Sequence, residues 1–492
     1  MCLHHAGKTK MTPKPVQIIA GEEVVGQRID AAALVDRESG IIARDIFVSE
    51  EIYQQELKQV FGRAWLLIGH ESQIPNPYDY FVSRMGEESV IMTRDKSGQI
   101  HVFLNTCPHR GMKVCRYDQG NARVFTCPYH AWSFSVDGNL TTKPGGLVGV
   151  PQYKAVYRDD LDKSKWGLVS VAQMTNYKGS IWASWDPAAP DFETYLGDMK
   201  FYLDAVLDHR DGRPGGSEVI GGIQKWKVPS NWKFGAENFI GDLYHITSHR
   251  SVDMVSIGPS GQGRRDAPTG DKANRKPPPP FGSIGFPNHG HGLIGTLPFY
   301  AEPDYTPSFT LTPEVEEYYK EVYQRRVENL GDKARGLAPV GTIFPNCSFH
   351  GMQPRALFTW HPNGPREMEM WKWYLVDADA PAEVKNVLRQ YYLRYAGPAG
   401  LTEQDDMENW NYATAASAGA EAGRYPYNYQ MGLGYEEPAP DLKDAVFTGP
   451  VTEQNQRIFY GRWAEFMDAD GWADLNPGDS GNFAALMARR KA

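Results

Sequence analysis

The sequence predicts an α+β chain of two domains, a small all-β domain followed by a larger domain of antiparallel sheet covered by helices. Three observations carry this. Between Arg63 and Pro187 short apolar runs alternate with turn residues, near residue 188 the composition shifts toward helix, and each part has its own cluster of metal-ligating side chains. At 492 residues the chain is too long for one hydrophobic core. The expected parts are a loose tail at 1–17, a helical segment at 18–62 resting on the larger domain, the all-β domain at 63–188 and the larger domain at 189–492.

Residues 1–17 lack periodicity and are biased toward Pro and Lys, which predicts disorder, with Met11 an alternative start. From Ser49 to Gly62, Ile52, Leu57, Val60 and Phe61 fall on one helical stripe, and Ser49 is placed as its N-cap. Strands are expected at Ser89–Thr93, His101–Leu104 and Arg123–Thr126, punctuated by Asp95-Lys96-Ser97-Gly98 and Asp137-Gly138, with Gly179–Asp186 closing the small domain. Helical spacing begins at Asp191–His209. Strands flooring a cavity are expected across Gly341–Val376, the last a half-buried strand alternating charge with large apolar side chains. Ala380–Tyr395 reads as helix, continuing as helix through Ala399–Asn409, and Trp463, Phe466 and Trp472 mark a C-terminal packing helix.

A net charge of −9 argues against a nucleic-acid partner. No apolar run approaches the ~20 residues that span a bilayer, and the N-terminus lacks a secretory pattern. Five cysteines are too few and too scattered for a disulfide framework, so a reducing, cytoplasmic setting is expected.

The small domain carries Cys107-Pro108-His109 and Cys127-Pro128-Tyr129-His130, two hooks that each offer one thiolate and one imidazole. Prolines stiffen both, and Gly111 permits a tight turn in the first. Zinc accepts such a Cys2His2 set, although its usual patterns separate cysteine and histidine pairs. In a Rieske-type [2Fe–2S] cluster two cysteines hold one iron and two histidines the other, which suits one ligand of each kind per hook.

The larger domain carries NWKFGAENFIGDLYHITSH at Asn231–His249, where Asp242, His245 and His249 would share one face of a continuous helix. Two histidines and a carboxylate with open positions form the facial triad of non-haem Fe(II) oxygenases, and spacing alone makes Asp242 a plausible carboxylate.

These residues resemble the large (α) subunits of Rieske non-haem iron aromatic-ring-hydroxylating dioxygenases. The hooks match the family's cluster motif, and Glu237, Asn238, Asp242, Tyr244, His245 and His249 match its mononuclear iron motif. The resemblance implies a third iron ligand in Gly397–Asp406, namely Asp406, with Asp405 beside it. It makes Asp242 a bridge between His245 and His130 of a neighbouring chain, fixing the tautomers of both rings. One departure is the spacing of the two histidines: only Ile246-Thr247-Ser248 separate them, where relatives commonly have four or five residues. The implied fold is a Rieske [2Fe–2S] domain beside a helix-grip (START-like) catalytic domain. The implied reaction uses O2 and electrons from a ferredoxin and a reductase, ultimately from NAD(P)H, to cis-dihydroxylate an aromatic substrate. The implied assembly is a head-to-tail α3 ring, joined by a small β subunit as α3β3. Absence of a P-loop or dinucleotide fingerprint places nicotinamide binding on the separate reductase.

Asn238 and Phe239 are expected at the substrate pocket. Ala396 and Thr402 stand where hydrocarbon-oxidising relatives often carry bulky aromatics, which suggests a roomier pocket and a polycyclic or extended arene. Residues 251–281 read as a flap over the entrance or a plain surface loop, and Arg264, Arg265 and Arg275 leave a carboxylated arene as an alternative. His289 and His291 read as pocket-lining or structural rather than as ligands. A Rieske monooxygenase or demethylase would share both iron sites, whereas an electron carrier would need only the first.

Overall fold

A computed structural model describes residues 28–141, 149–158, 160–254, 280–297, 312–331, 339–351 and 354–475. The tail at 1–17 and nearly all of the 251–281 loop, with its three arginines, lie outside them. Among the described residues no helix is long and apolar enough to cross a membrane. The chain divides into two units, one spanning Gly62–Ala189 and the other joining Arg28–Phe61 to the chain from Pro190 onward.

The first unit is mainly β, with one short helix at Tyr153–Tyr157 and 3-10 turns at Glu71–Gln73 and Lys163–Lys165. Leu66–His70, Ser180–Ser184 and Gln173–Tyr177 form one antiparallel sheet, and Ile100–Leu104, Glu88–Arg94, Asp79–Met85 and Gln119–Asn121 form another in that order. A two-stranded ribbon pairs Val124–Thr126 with Ser133–Ser135. The Asp95 turn forms because its carboxylate accepts from the Ser97 and Gln99 amides at 2.8 and 3.0 Å.

The second unit is built on one nine-stranded antiparallel sheet. In chain order its strands are β1 (Ser217–Val228), β2 (Phe281–Phe286), β3 (His291–Thr296), β4 (Val340–Ile343), β5 (Cys347–His350), β6 (Ala356–Pro362), β7 (Met368–Asp377), β8 (Glu437–Pro438) and β9 (Val446–Thr448). They lie in the order β1-β7-β6-β5-β4-β3-β2-β9-β8. The helices that matter for function are α1 (Glu50–Gln59), α2 (Trp232–Gly241), α3 (Ala382–Tyr395), α4 (Glu403–Ser417) and α5 (Gln454–Asp468).

Helix α2 lies between the sheet and α5. Asn231 caps it by accepting from the Lys233 amide at 3.0 Å. Gly235 lets it approach the sheet, because a Cβ there would sit 2.4 Å from the Trp360 ring of β6. On the other side Asn455 of α5 donates to the carbonyls of Ile240 and Leu293 at 2.8 and 3.0 Å, pinning α2 and β3 together. Burial of Phe234 and Ile240 adds about 2 kcal/mol each.

Ser49 caps α1 through the Ile52 amide, as the sequence predicts, but the buried face differs. Tyr53 and Glu56 are buried with Ile52, while Leu57 is only half-buried. Glu56 pairs with Lys233 and accepts from the indole N–H groups of Trp232 and Trp463 at 3.0 and 2.8 Å. A charged residue thus holds α1, α2 and α5 together, which hydrophobic periodicity cannot reveal.

Other elements depart from expectation for local reasons. Asp191–His209 is a relay of short helices, Phe192–Leu196, Gly197–Met199 and Lys200–Leu207, capped by Asp191 on the Thr194 amide. Strand β7 is not half-buried. Lys372 is fully buried in it, because helices cover the face its charge occupies. The helix expected to run on through Ala399–Asn409 breaks after Tyr395 and restarts at Glu403, since Pro398 disfavours helical backbone at Gly397.

Candidate metal centres

In the first unit the two hooks are nearly the same turn. The Cys107 amide donates to Met112 O at 2.8 Å and the Gly111 amide donates back to Cys107 O at 2.9 Å. The Cys127 amide likewise donates to Trp132 O at 2.8 Å, and the Ala131 amide donates back to Cys127 O at 3.0 Å. Both turns close through a positive-φ residue, Gly111 at 72° and Ala131 at 55°. Asn105, unmarked in the sequence reading, fastens the first hook by accepting from the Val114 and Cys115 amides at 3.1 and 2.8 Å.

The hook side chains meet in like pairs, histidine with histidine and cysteine with cysteine. The His109 and His130 rings are 4.6 Å apart, and His109 stacks on Trp132 at 4.9 Å. Burial raises the Cys107 thiol to about 11, aided by the neighbouring Cys127 sulfur, so holding it as a thiolate calls for a cationic partner. His109 Nδ1 is buried without a hydrogen bond. An unpartnered buried imidazole nitrogen on one hook and two buried free cysteines fit the mixed ligand set of a Rieske iron–sulfur cluster.

In the second unit α2 ends at Asp242, so the continuous helix over Asn231–His249 is not what forms. Asp242 adopts φ −93° and ψ 67° and caps a separate 3-10 helix, Leu243–His249, by accepting from the His245 amide at 3.2 Å. Seven residues is long for that geometry, in which hydrogen bonds are poorer. The break turns His245 and His249 toward α4.

There they meet Asp406. The His245 and His249 Nε2 atoms are 3.2 Å apart, and Asp406 Oδ1 lies 3.5 and 3.4 Å from them. The Nδ1 atoms point elsewhere, His245 to the Asp242 carbonyl and His249 to the Asp405 carboxylate at 3.3 Å. Both partners are acceptors, so each Nδ1 carries the proton and each Nε2 presents a lone pair. Two lone pairs and a carboxylate oxygen that makes no hydrogen bond then face one another, with His249 and Asp406 buried and His245 half-buried. Such an arrangement demands a cation. Burial opposes charge on His245, yet Asp242 and Asp406 outweigh it and raise its pKa to about 9. Burial raises Asp406, against the charges of His245, His249 and Lys372. Without a metal, protons must occupy the place a divalent ion would take.

The triad takes its carboxylate from Asp406, not from Asp242, whose Oδ1 approaches the Nδ1 side of His245 at 3.6 Å. Asp405 orients His249, a role the sequence reading left unstated. Asn409 adds a second tie from α4 by donating to Ser248 Oγ at 2.9 Å. Asn238 sits half-buried on α2, its carbonyl accepting from the Asp242 amide at 3.2 Å. Phe239 packs against Phe358 and Trp360 at 4.6 and 5.4 Å. Ala396 and Thr402 are buried at the two ends of the connection from α3 to α4, and the Thr402 hydroxyl donates to Tyr395 O at 2.9 Å.

His289 and His291 do not join the triad. Their ring nitrogens contact the Tyr195 carbonyl at 3.0 and 2.9 Å, and the Phe344 amide donates to His291 Nδ1 at 2.9 Å. Burial lowers His289 to about 4 and also depresses His291 well below the ordinary imidazole range, so both are neutral. Of the two readings offered for them, lining the pocket gives way to fastening the β2–β3 turn.

Comparison with known proteins agrees with this division. Residues 64–154 match the Rieske [2Fe-2S] domain, and residues 192–469 match the ring hydroxylating alpha subunit (catalytic domain). The chain belongs to the ring-hydroxylating dioxygenase α subunits. This α subunit is 39% identical over 470 residues to the biphenyl 2,3-dioxygenase subunit alpha of Rhodococcus jostii, covering 93% of this chain and 95% of that one. It is 38% identical to the benzene 1,2-dioxygenase subunit alpha of Pseudomonas putida, covering 90% and 94%. Among solved structures, naphthalene 1,2-dioxygenase from Rhodococcus sp. bound to indole superposes with a TM-score of 0.71 at 37% identity, covering 87% of this chain and 95% of that one. A naphthalene 1,2-dioxygenase variant bound to phenanthrene reaches 0.79 at 29% identity, covering 93% and 99%. The α subunit therefore combines a Rieske [2Fe–2S] domain with a catalytic mononuclear iron domain.

Proposed function

We propose that this α subunit cis-dihydroxylates an uncharged, extended arene such as a two- or three-ring hydrocarbon. The observation that carries this reading is the pairing, in one chain, of the two-hook Cys/His site with a separate His245, His249 and Asp406 site. Cys107, His109, Cys127 and His130 would hold the cluster, and the triad would hold Fe(II). When bound, the cluster supplies single electrons and the iron supplies dioxygen activation.

The chain's own residues do the positioning. Asp242 and Asp405 fix the two imidazoles so that Nε2 faces the metal, and α4 delivers Asp406 already buried. Asn238 and Phe239, at the end of α2, face substrate, with Phe358 and Trp360 backing Phe239. Small side chains at Ala396 and Thr402 favour more than one ring, and the Thr402 hydroxyl is already spent on Tyr395. Relatives named for biphenyl and naphthalene support that size.

The working enzyme is an α3β3 hexamer in the cytoplasm, with Asp242 bridging to His130 of a neighbouring chain. Its electrons come from NAD(P)H through a reductase and a ferredoxin. The test is turnover of biphenyl, naphthalene, phenanthrene and benzene by the reconstituted system under 18O2. A cis-dihydrodiol carrying both labelled atoms, formed faster from the larger arenes, is expected. A singly hydroxylated product would overturn dihydroxylation, and preference for benzene would overturn the size assignment.

A further inference from the structure

Three carboxylates, Glu403, Asp405 and Asp406, crowd the first turn of α4. Acidic residues there suit the helix dipole but repel one another once buried. Each has its own counterpart. Asp405 meets His249 Nδ1, Asp406 faces the two Nε2 atoms, and Glu403 meets Lys372.

The last pair lies outside the triad, although the Lys372 charge is felt at Asp406. Lys372, on β7, is fully buried, its ammonium 4.2 Å from the Phe358 ring centre and in contact with Glu403 Oε1. The other Glu403 oxygen accepts from the Gly397 amide at 2.6 Å. Thr402, at the N-cap position of α4, makes no side-chain cap and turns its hydroxyl back to Tyr395. Glu403 therefore ties three things together, the sheet through Lys372, the α3–α4 connection through Gly397, and the helix start that carries Asp406. A buried charge pair is costly unless well satisfied, and here every Glu403 oxygen is bonded.

We propose that Lys372 and Glu403 are positioning residues for the mononuclear iron site, fixing the start of α4 so that Asp406 meets the two histidines. This rests on the triad binding Fe(II), as proposed above. Removing a partner behind a metal ligand typically costs 10–100-fold in metal affinity.

The test is Fe(II) titration of anaerobic protein stripped of mononuclear iron but retaining its cluster. Variants are Glu403→Gln, the double variant Lys372→Met with Glu403→Gln, and Lys372→Arg. The double variant leaves no lone buried charge, so it is expected to fold. The proposal expects Fe(II) affinity to fall at least about 10-fold in the first two, with partial recovery in Lys372→Arg and an unchanged cluster EPR signal throughout. Affinity within about twofold of the parent in the double variant would overturn it, as would loss of the cluster signal together with the iron, which would make the pair a fold element only. If the parent protein takes up no Fe(II), or His249→Ala takes up as much, it is the triad reading that fails.

Discussion

The two metal centres are built in opposite ways. In the first unit all four candidate ligands lie within residues 107–130, on two turns closed by their own backbone hydrogen bonds. In the second, His245 and His249 reach Asp406 across more than 150 residues, and their alignment depends on a helix break at Asp242, on α4 and on the sheet beneath. A site made by short-range turns tolerates distant changes. A site made by tertiary packing inherits every error in the elements that bring it together.

The largest effect should come from the ligands themselves. Asp406→Ala or His249→Ala is expected to abolish dihydroxylation and remove the mononuclear iron while the cluster EPR signal stays. Cys107→Ser should bleach the cluster and abolish turnover yet leave Fe(II) binding at the triad. If either loss emptied both centres, the independence drawn here would be broken.

Next comes the buried Glu56–Lys233 pair. Glu56→Ala strands a buried ammonium and should cost about 3–5 kcal/mol, read as a lower unfolding midpoint by far-UV circular dichroism. Because Glu56 and the triad belong to one unit, iron should be lost at lower denaturant than in the parent, with cluster absorbance lagging behind.

How much of this was legible in the sequence follows from the same contrast. Both hooks could be read entire, because turn and ligands are contiguous. The strands of the small domain and the Ser49 cap were equally readable. The break at Asp242 was not, since Ile240 through Tyr244 keep helical spacing and only the cap on the His245 amide reveals it. Nor were the Glu56 and Lys372 pairs, because a charged residue in an amphipathic pattern reads as solvent-facing until its partner, 177 residues away for Glu56, is known. Asp406 came from resemblance alone; no local signal separates it from Asp405.

Asp405→Asn should weaken Fe(II) binding about 10–100-fold without touching the cluster, since His249 loses the carboxylate that orients it. A pH effect separates the units further. Glu237, half-buried, sets its carboxyl beside Tyr429 and Tyr460; burial raises its pKa to about 8 from an ordinary 4.5, despite the two hydroxyls that donate to it. A carboxyl raised on folding stabilises fully below the unfolded value and loses that contribution as pH climbs to the folded one. The second unit should therefore become less stable between about pH 4.5 and 8, and Glu237→Gln should flatten that slope in pH-dependent melts. An unchanged slope in the variant would remove Glu237 as its source.

The smallest effect compares the two hooks directly. Gly111→Ala places a side chain at positive φ and should cost about 1–2 kcal/mol, whereas Ala131→Gly relieves that strain and should be neutral or stabilising. Equal melting temperatures for the cluster in the two variants would contradict the turn equivalence.

The central claim is tested most directly by iron and sulfide analysis of anaerobically reconstituted protein alongside its His249→Ala variant. Two centres in one chain predict about three irons and two sulfides for the parent, and about two of each for the variant, with the same Rieske EPR spectrum on reduction. The same iron content in both proteins, or zinc in place of iron, would contradict it.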